Sequence, residues 1–253
     1  MTKVIAVHSY RGGTGKTHFT ANLATAVALQ GKRVGVVDTD LPSPGIHNLF
    51  RLDPDRSPKA LNHYLWGECE AGAAAYDVTA NAGVSGPGQI WLVPSSVRAD
   101  EIARILKDGY DVRRLNDGLR DLGRTLALDY LFIDTHPGLS KEAFLSIVMA
   151  HLVILVLRPD KQDYQGTAVT IDVARQLKVR NMVMAINKAH ARLDLAALKT
   201  RVEETYGAPV AGVFPLSEDV AQLASEGVFF VRHPDHAISR EIGRVAARVL
   251  EAA

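Results

Sequence analysis

A single cysteine, Cys69, stands in the whole chain, which excludes an intrachain disulfide and leaves no cysteine set to hold a zinc ion or an iron–sulfur cluster. Neither sign of charge prevails. Twenty-nine basic against twenty-eight acidic residues leave a formal charge of +1, too little to draw the whole molecule to nucleic acid or anionic lipid, so only local patches matter. Aromatics are scarce at 6%, which puts the weight of a core on aliphatic side chains. Long apolar runs are missing too. The stretch Val4 to Val7 is far short of a secretion-signal core, and no later one reaches the roughly 20 residues that a bilayer-spanning helix needs. Neither export nor membrane spanning is expected, and a reducing cytoplasm suits the lone thiol. Against these absences, 47% apolar and 23% charged residues over a length of 253 match a globular aliphatic core rather than disorder.

The apolar segments are short and β-rich. Val4–Val7 reads as a buried strand, broken by glycines before a helix over about 16–29, and Arg33–Asp38 reads as a second strand with an acidic tip. Further strands are expected at 90–93, 130–134, 152–157, 182–187 and 210–214. They lack strict polar alternation, as strands do when helices cover both faces of a parallel sheet. Helices are expected near 98–107, 111–126, 140–149, 164–178, 194–205, 217–225 and 238–250. The pattern predicts one α/β domain over 1–253, a mostly parallel doubly wound sheet whose chemistry gathers at the carboxyl edge. Its least regular part, about 51–88, is interrupted by prolines and glycines and reads as an insertion with one or two short helices, one of them around Pro58–Trp66.

The loop after the first strand, His8-Ser-Tyr-Arg-Gly-Gly-Thr-Gly-Lys-Thr17, carries the strongest chemistry. Gly12, Gly13 and Gly15 let the backbone curl around phosphate oxygens, and their amides, with the helix terminus behind them, stabilise an anion. Lys16 is placed for the β and γ phosphates of a nucleoside triphosphate, and Thr17 for a magnesium ion. Thr14 and His18 flank this cradle. The usual phosphate-loop formula has glycine where Tyr10 stands, so the literal pattern is broken at one position.

With these motifs, nearly the whole chain resembles the deviant Walker ATPases of the ParA/MinD family. Their K-G-G-x-G-K-T loop corresponds to Arg11-Gly12-Gly13-Thr14-Gly15-Lys16-Thr17, with Arg11 in place of the signature lysine. In that family the lysine reaches the nucleotide across an ATP-sandwich dimer, and Arg11 keeps the charge with a different, forked geometry. The resemblance implies a P-loop NTPase that uses ATP and magnesium and forms an ATP-dependent homodimer. Asp38-Thr-Asp40 is similar to the family's acidic motif, which implies Asp38 near magnesium and Asp40 positioning the attacking water. Leu131-Phe-Ile-Asp134-Thr-His-Pro-Gly138 is similar to its Walker B and switch region, with Asp134 as a magnesium anchor. His136, where relatives often have a small residue or proline, reads as a local polar contact rather than a catalytic base. Asn187-Lys188 and Phe214-Pro215-Leu216 are similar to the segments that recognise adenine.

The partner is less legible. Arg240, Arg244 and Arg248 recur every four residues on the final expected helix, either a stripe for DNA phosphates or a solvated face; Arg192, Lys199 and Arg201 form another basic patch. The C-terminal segment offers Val, Ile and Ala rather than bulky residues, so stable direct membrane insertion is not expected. The reading that results is an ATPase switch in the cytoplasm, nucleoid-associated or brought to a pole by a stimulating or adaptor protein. It would position DNA or another cargo, with chromosome or plasmid partitioning as the nearest analogy. Two alternatives stay open: an ATP-gated interaction protein with weak or no hydrolysis, and an iron–sulfur carrier on the same core, which the single cysteine disfavours.

Overall fold

The computed structural model describes residues 1–252. The chain runs β1 (Lys3–His8), α1 (Lys16–Ala28), β2 (Arg33–Asp38), α2 (Ile46–Leu49), α3 (Leu61–Leu65), β3 (Tyr76–Asp77), β4 (Gln89–Val93), α4 (Ala99–Asp108), α5 (Val112–Thr125) and β5 (Tyr130–Asp134). It continues through α6 (Lys141–Met149), β6 (Leu152–Leu157), α7 (Lys161–Gln176), β7 (Met182–Ala189), α8 (Leu195–Tyr206), β8 (Val210–Pro215), α9 (Glu218–Leu223), α10 (Phe229–Arg232) and α11 (Ala237–Ala252).

All eight strands form one sheet in the order β3-β4-β2-β5-β1-β6-β7-β8. Every pairing is parallel except that of β3 with β4. The seven strands expected from their apolar runs are all present. The short antiparallel β3, inside the irregular segment, was not foreseen, because two residues carry no periodicity that a pattern can register. That segment also holds α3 within the stretch where a helix was expected.

Alternation along each strand explains why these runs look continuously apolar. Ile5 and Val7, Val34 and Val36, Phe132, and Ile154 and Val156 pack on one face against α1, α10 and α11. Their neighbours Val37, Leu131 and Ile133 point to the other face, under α3 and α5. Val153, Leu155, Met184 and Ile186 meet residues of α6, α7 and α8 on that same side. With helices on both faces, both sets of side chains leave water, and burial rather than polar alternation selects Val, Ile and Leu. Helix α1 is buried from Phe19 through Ala28, so it lies beneath α11 rather than at the surface. Its beginning stands at the carboxyl end of β1, where the chain crosses from one half of the sheet to the other and ligand crevices form.

Candidate functional site

Five of the later helices open on a side-chain cap: Asp111 on α5, Ser140 on α6, Asp160 on α7, Asp194 on α8 and Ser217 on α9 each accept from a backbone N–H of the first turn. Helix α1 does not. Its N-cap is Gly15, at φ 90°, with no side-chain hydrogen bond and no acidic residue in the first turn. Its first-turn N–H groups therefore lack a side-chain partner, and the positive end of the helix dipole faces the loop Tyr10–Gly15. Glycine is required at 15 twice over: L side chains rarely adopt its φ, and a Cβ there would overlap the amide nitrogen of Asn187.

Two acidic strand ends face this helix start. β2 and β5 are neighbours in register, Asp38 opposite Asp134, so both carboxyl groups arrive at the same edge, each about 1% exposed. Asp134 is ringed by donors: Lys16 Nζ at 2.8 Å, Thr17 Oγ1 at 2.8 Å and Thr20 Oγ1 at 3.0 Å. Asp38 accepts from the backbone N–H groups of Asp40, at 3.0 Å, and Gly45, at 3.2 Å. Burial, and then the negative charge of Asp134, push the Asp38 carboxyl up to about 7, partly opposed by Lys16. Two buried carboxyl groups thus share one ammonium. That deficit of positive charge, set among hard oxygen donors with the Thr17 hydroxyl at hand, fits a magnesium ion. Among the described residues no set of three His, Cys, Asp or Glu side chains converges on one point; the oxygen groups gathered at this edge are those of Asp38, Asp134 and Thr17.

Asp40 lies two residues beyond the end of β2. Its side chain is 12% exposed, and its Oδ1 is 2.7 Å from Nδ1 of His136. His8, at the end of β1, is fully buried with Nδ1 2.7 Å from the Thr135 hydroxyl. Its imidazole is driven down to about 3 by burial and then by Lys16.

The residues that depart from the family loop both dock on α7. The Tyr10 ring occupies the space a Cβ on Gly166 would need, so a mid-helix glycine is matched to the aromatic in the loop. Arg11 reaches the start of the same helix, 3.7 Å from Asp160 and 3.6 Å from Asp163. In this structure Arg11 is thus turned onto its own chain.

Beside the loop opens a cavity of about 290 Å³ lined mainly by apolar side chains, among them Phe19, Phe214, Phe229, Ile238 and Ile242. Every one of the expected base-side residues Asn187, Lys188, Phe214, Pro215 and Leu216 lines it, as do Gly15 and His18. Phe214 meets Phe19 edge-on at 5.4 Å. Burial, and then the charge of Lys188, lower the His18 imidazole from its ordinary value. Asn187 donates from Nδ2 to the Thr14 carbonyl at 2.8 Å and accepts from the Lys188 N–H at 2.9 Å, which leaves one amide N–H for a ligand. A register shift between Ile186 and Ala189 and the left-handed backbone of Lys188 accompany a reach back to the loop, Nζ to the Gly13 carbonyl at 2.8 Å. Phe19, Asn22, Phe229, Ile238 and Ile242 were not singled out from sequence; each reads there as core or as an ordinary helix position.

All three arginines of the stripe are exposed. Arg244 pairs with Glu241, while Arg240 donates to the Asp235 carbonyl and Arg248 to those of Val210 and Ala211, both keeping their charge. No helix among the described residues is long and apolar enough to cross a membrane.

Residues 5–230 match the family described as the CobQ/CobB/MinD/ParA nucleotide binding domain, and the chain belongs to that family. It is similar to an uncharacterised ATP-binding protein of Methanocaldococcus jannaschii, 27% identical over 256 residues, covering 100% of this chain and 89% of that one. It is also similar to an iron–sulfur cluster carrier protein of Saccharolobus solfataricus, 28% identical over 265 residues, covering 98% of this chain and 82% of the other. Among solved structures, the cell division ATPase MinD of Pyrococcus furiosus superposes with a TM-score of 0.81 at 23% identity, over 100% of both chains. At that identity the likeness speaks for the fold.

Proposed function

We propose that this chain is a magnesium-dependent ATPase switch of the MinD/ParA kind, which dimerises with ATP and positions DNA or another cellular cargo. One observation carries the proposal: an uncapped helix start bearing Lys16 and Thr17 faces two buried carboxyl groups on adjacent strand ends, and an aromatic-walled cavity opens beside it. The first part suits phosphates and the second a purine.

On this reading Gly12, Gly13, Thr14 and Gly15 present backbone donors to the phosphates. Lys16 leaves Asp134 for the β and γ oxygens, so ATP replaces an internal ion pair with one to the ligand. Asp38, Asp134 and Thr17 would hold a magnesium ion, which would supply charge neutralisation for the phosphate oxygens. Asp40 accepts a hydrogen bond from the water that attacks the γ phosphorus, ATP and water giving ADP and phosphate. Asn187, Lys188, His18 and the Phe214–Leu216 segment enclose the base. Arg11 acts only after release from Asp160 and Asp163, when it becomes free to meet a nucleotide held by a second copy. Hydrolysis then reverses the dimer and serves as a timer. Localisation in the cytoplasm, on the nucleoid or at a pole follows from the partner, an adaptor or stimulating protein.

A second reading is favoured by Tyr10 and Arg11, both docked on α7: an ATP-gated interaction protein with little turnover. The iron–sulfur role named for one relative meets a single, half-buried Cys69 here, which gives a dimer only one thiolate per subunit. Phosphate release with and without magnesium, and with and without DNA, separates the first two readings. The ATPase is expected to lose turnover in Lys16→Ala and Asp40→Ala while folding is kept. Equal residual release from all three proteins overturns it, and tight ATP binding without release establishes the second reading.

A further inference from the structure

Resting on the ATPase reading, we infer that His136 is a positioning residue for hydrolysis: its imidazole holds the Asp40 carboxylate in the orientation that leaves the second oxygen for the attacking water. The backbone of Asp40 is fixed by its N–H on Asp38, yet an Asp side chain keeps two rotatable bonds that a backbone contact does not restrain. Among the described residues the side-chain contact recorded for the Asp40 carboxylate is His136, Nδ1 to Oδ1 at 2.7 Å. A carboxylate only accepts, so Nδ1 carries the proton and donates, and Oδ2 stays available.

The holder is itself held. Thr135, next to it, donates its hydroxyl to the Val7 carbonyl at 3.0 Å and its N–H to the same oxygen at 3.2 Å, while Gly138 donates its N–H to the Ser9 carbonyl at 3.0 Å. His136 is thus anchored on both sides to β1 and to the start of the phosphate loop. Any displacement of that loop is passed through the imidazole to Asp40. A proline or small residue at 136 has no side-chain donor and can do none of this. The His136 side chain is 39% exposed against 12% for Asp40, so the contact adds little to stability; its consequence lies in the direction of a reacting group, where small misplacements cost much rate.

The test is steady-state phosphate release by the full chain with magnesium and ATP, with circular dichroism to confirm folding of each variant. His136→Ala is expected to lower kcat roughly 10- to 100-fold, the range for losing a hydrogen bond to a charged group, with KM for ATP unchanged within about twofold. His136→Asn, whose amide nitrogen can take the place of Nδ1 and donate, is expected to recover much of kcat. His136→Ala is expected to cost little further in the Asp40→Ala background, since His136 acts only through Asp40. If His136→Ala does not fold, His136→Asn against His136→Leu, nearly equal in shape, decides the same point: only Leu should lose kcat. Wild-type kcat in Ala or Leu, a loss carried by KM alone, or an Asn variant as slow as its apolar counterpart overturns the inference and leaves the ATPase standing. A wild-type chain that releases no phosphate overturns both.

Discussion

The two ends of the cleft are built on opposite principles. At the phosphate end, polar groups are buried and answer one another: Lys16, Thr17 and Thr20 on Asp134, and the Asp40 and Gly45 amides on Asp38. At the base end, Phe19, Phe214, Phe229, Ile238 and Ile242 supply walls, and few polar groups enter. Charge in a low-dielectric setting needs defined partners at short distance, so the phosphate end tolerates little change in residue type. Apolar walls need only volume and shape, so the base end tolerates exchange but is costly to hollow out.

This contrast is sharpest in Lys16→Ala, expected to reduce phosphate release at saturating ATP by about 100- to 1,000-fold, the scale for removing one donor to a developing charge. A change in KM alone would erase the distinction between the ends. Ile242→Ala, on α11, should instead cost about 3 kcal/mol of unfolding free energy through the void it leaves. It should raise KM for ATP roughly tenfold by loss of apolar contact, and a fall in kcat of the Lys16 kind would break the comparison. Gly166→Ala crowds Tyr10 and is expected to cost about 2 kcal/mol in denaturant unfolding. Adding Tyr10→Gly should restore stability, and additivity of the two would show that ring and helix are not matched.

The last effect, a slope with pH rather than a fixed loss, belongs to His8. Its native imidazole stays neutral down to about 3, whereas an unfolded histidine takes its proton near 6.5. Between those values the unfolded state binds more protons, so stability falls as pH falls through that window, by at most ~1.4 kcal/mol per pH unit from this group. His8→Thr should flatten that slope in unfolding measured from pH 6.5 to pH 4, and an unchanged slope would mean that burial is not what holds the ring neutral.

The proposed phosphate end was legible because each of its parts is a short, chemically rare pattern: a glycine run before Lys16-Thr17, and strands ending at Asp38 and Asp134. The base end is assembled from residues as far apart as Gly15 and Ile242, and an isoleucine facing a ligand looks in sequence like one facing a leucine. The strands were legible for the same reason that their faces were not, since burial on both sides removes the alternation that would tell them apart. The pairings Arg11 with Asp160 and Asp163, and His136 with Asp40, join segments distant in the chain and left no local trace. Gly166 did leave one. A glycine inside a helix carries a cost of about 1 kcal/mol that a close neighbour can justify, and the neighbour proved to be Tyr10.

Because Ile238 and Ile242 of α11 close a cavity that begins at Gly15 of the first loop, the proposed purine pocket joins segments far apart in the chain. During vectorial synthesis the phosphate cradle and its carboxylates emerge long before the wall that would enclose a base. Affinity for ATP is thus expected to be gained in two stages, the second only once α11 has left the ribosome and packed against α1.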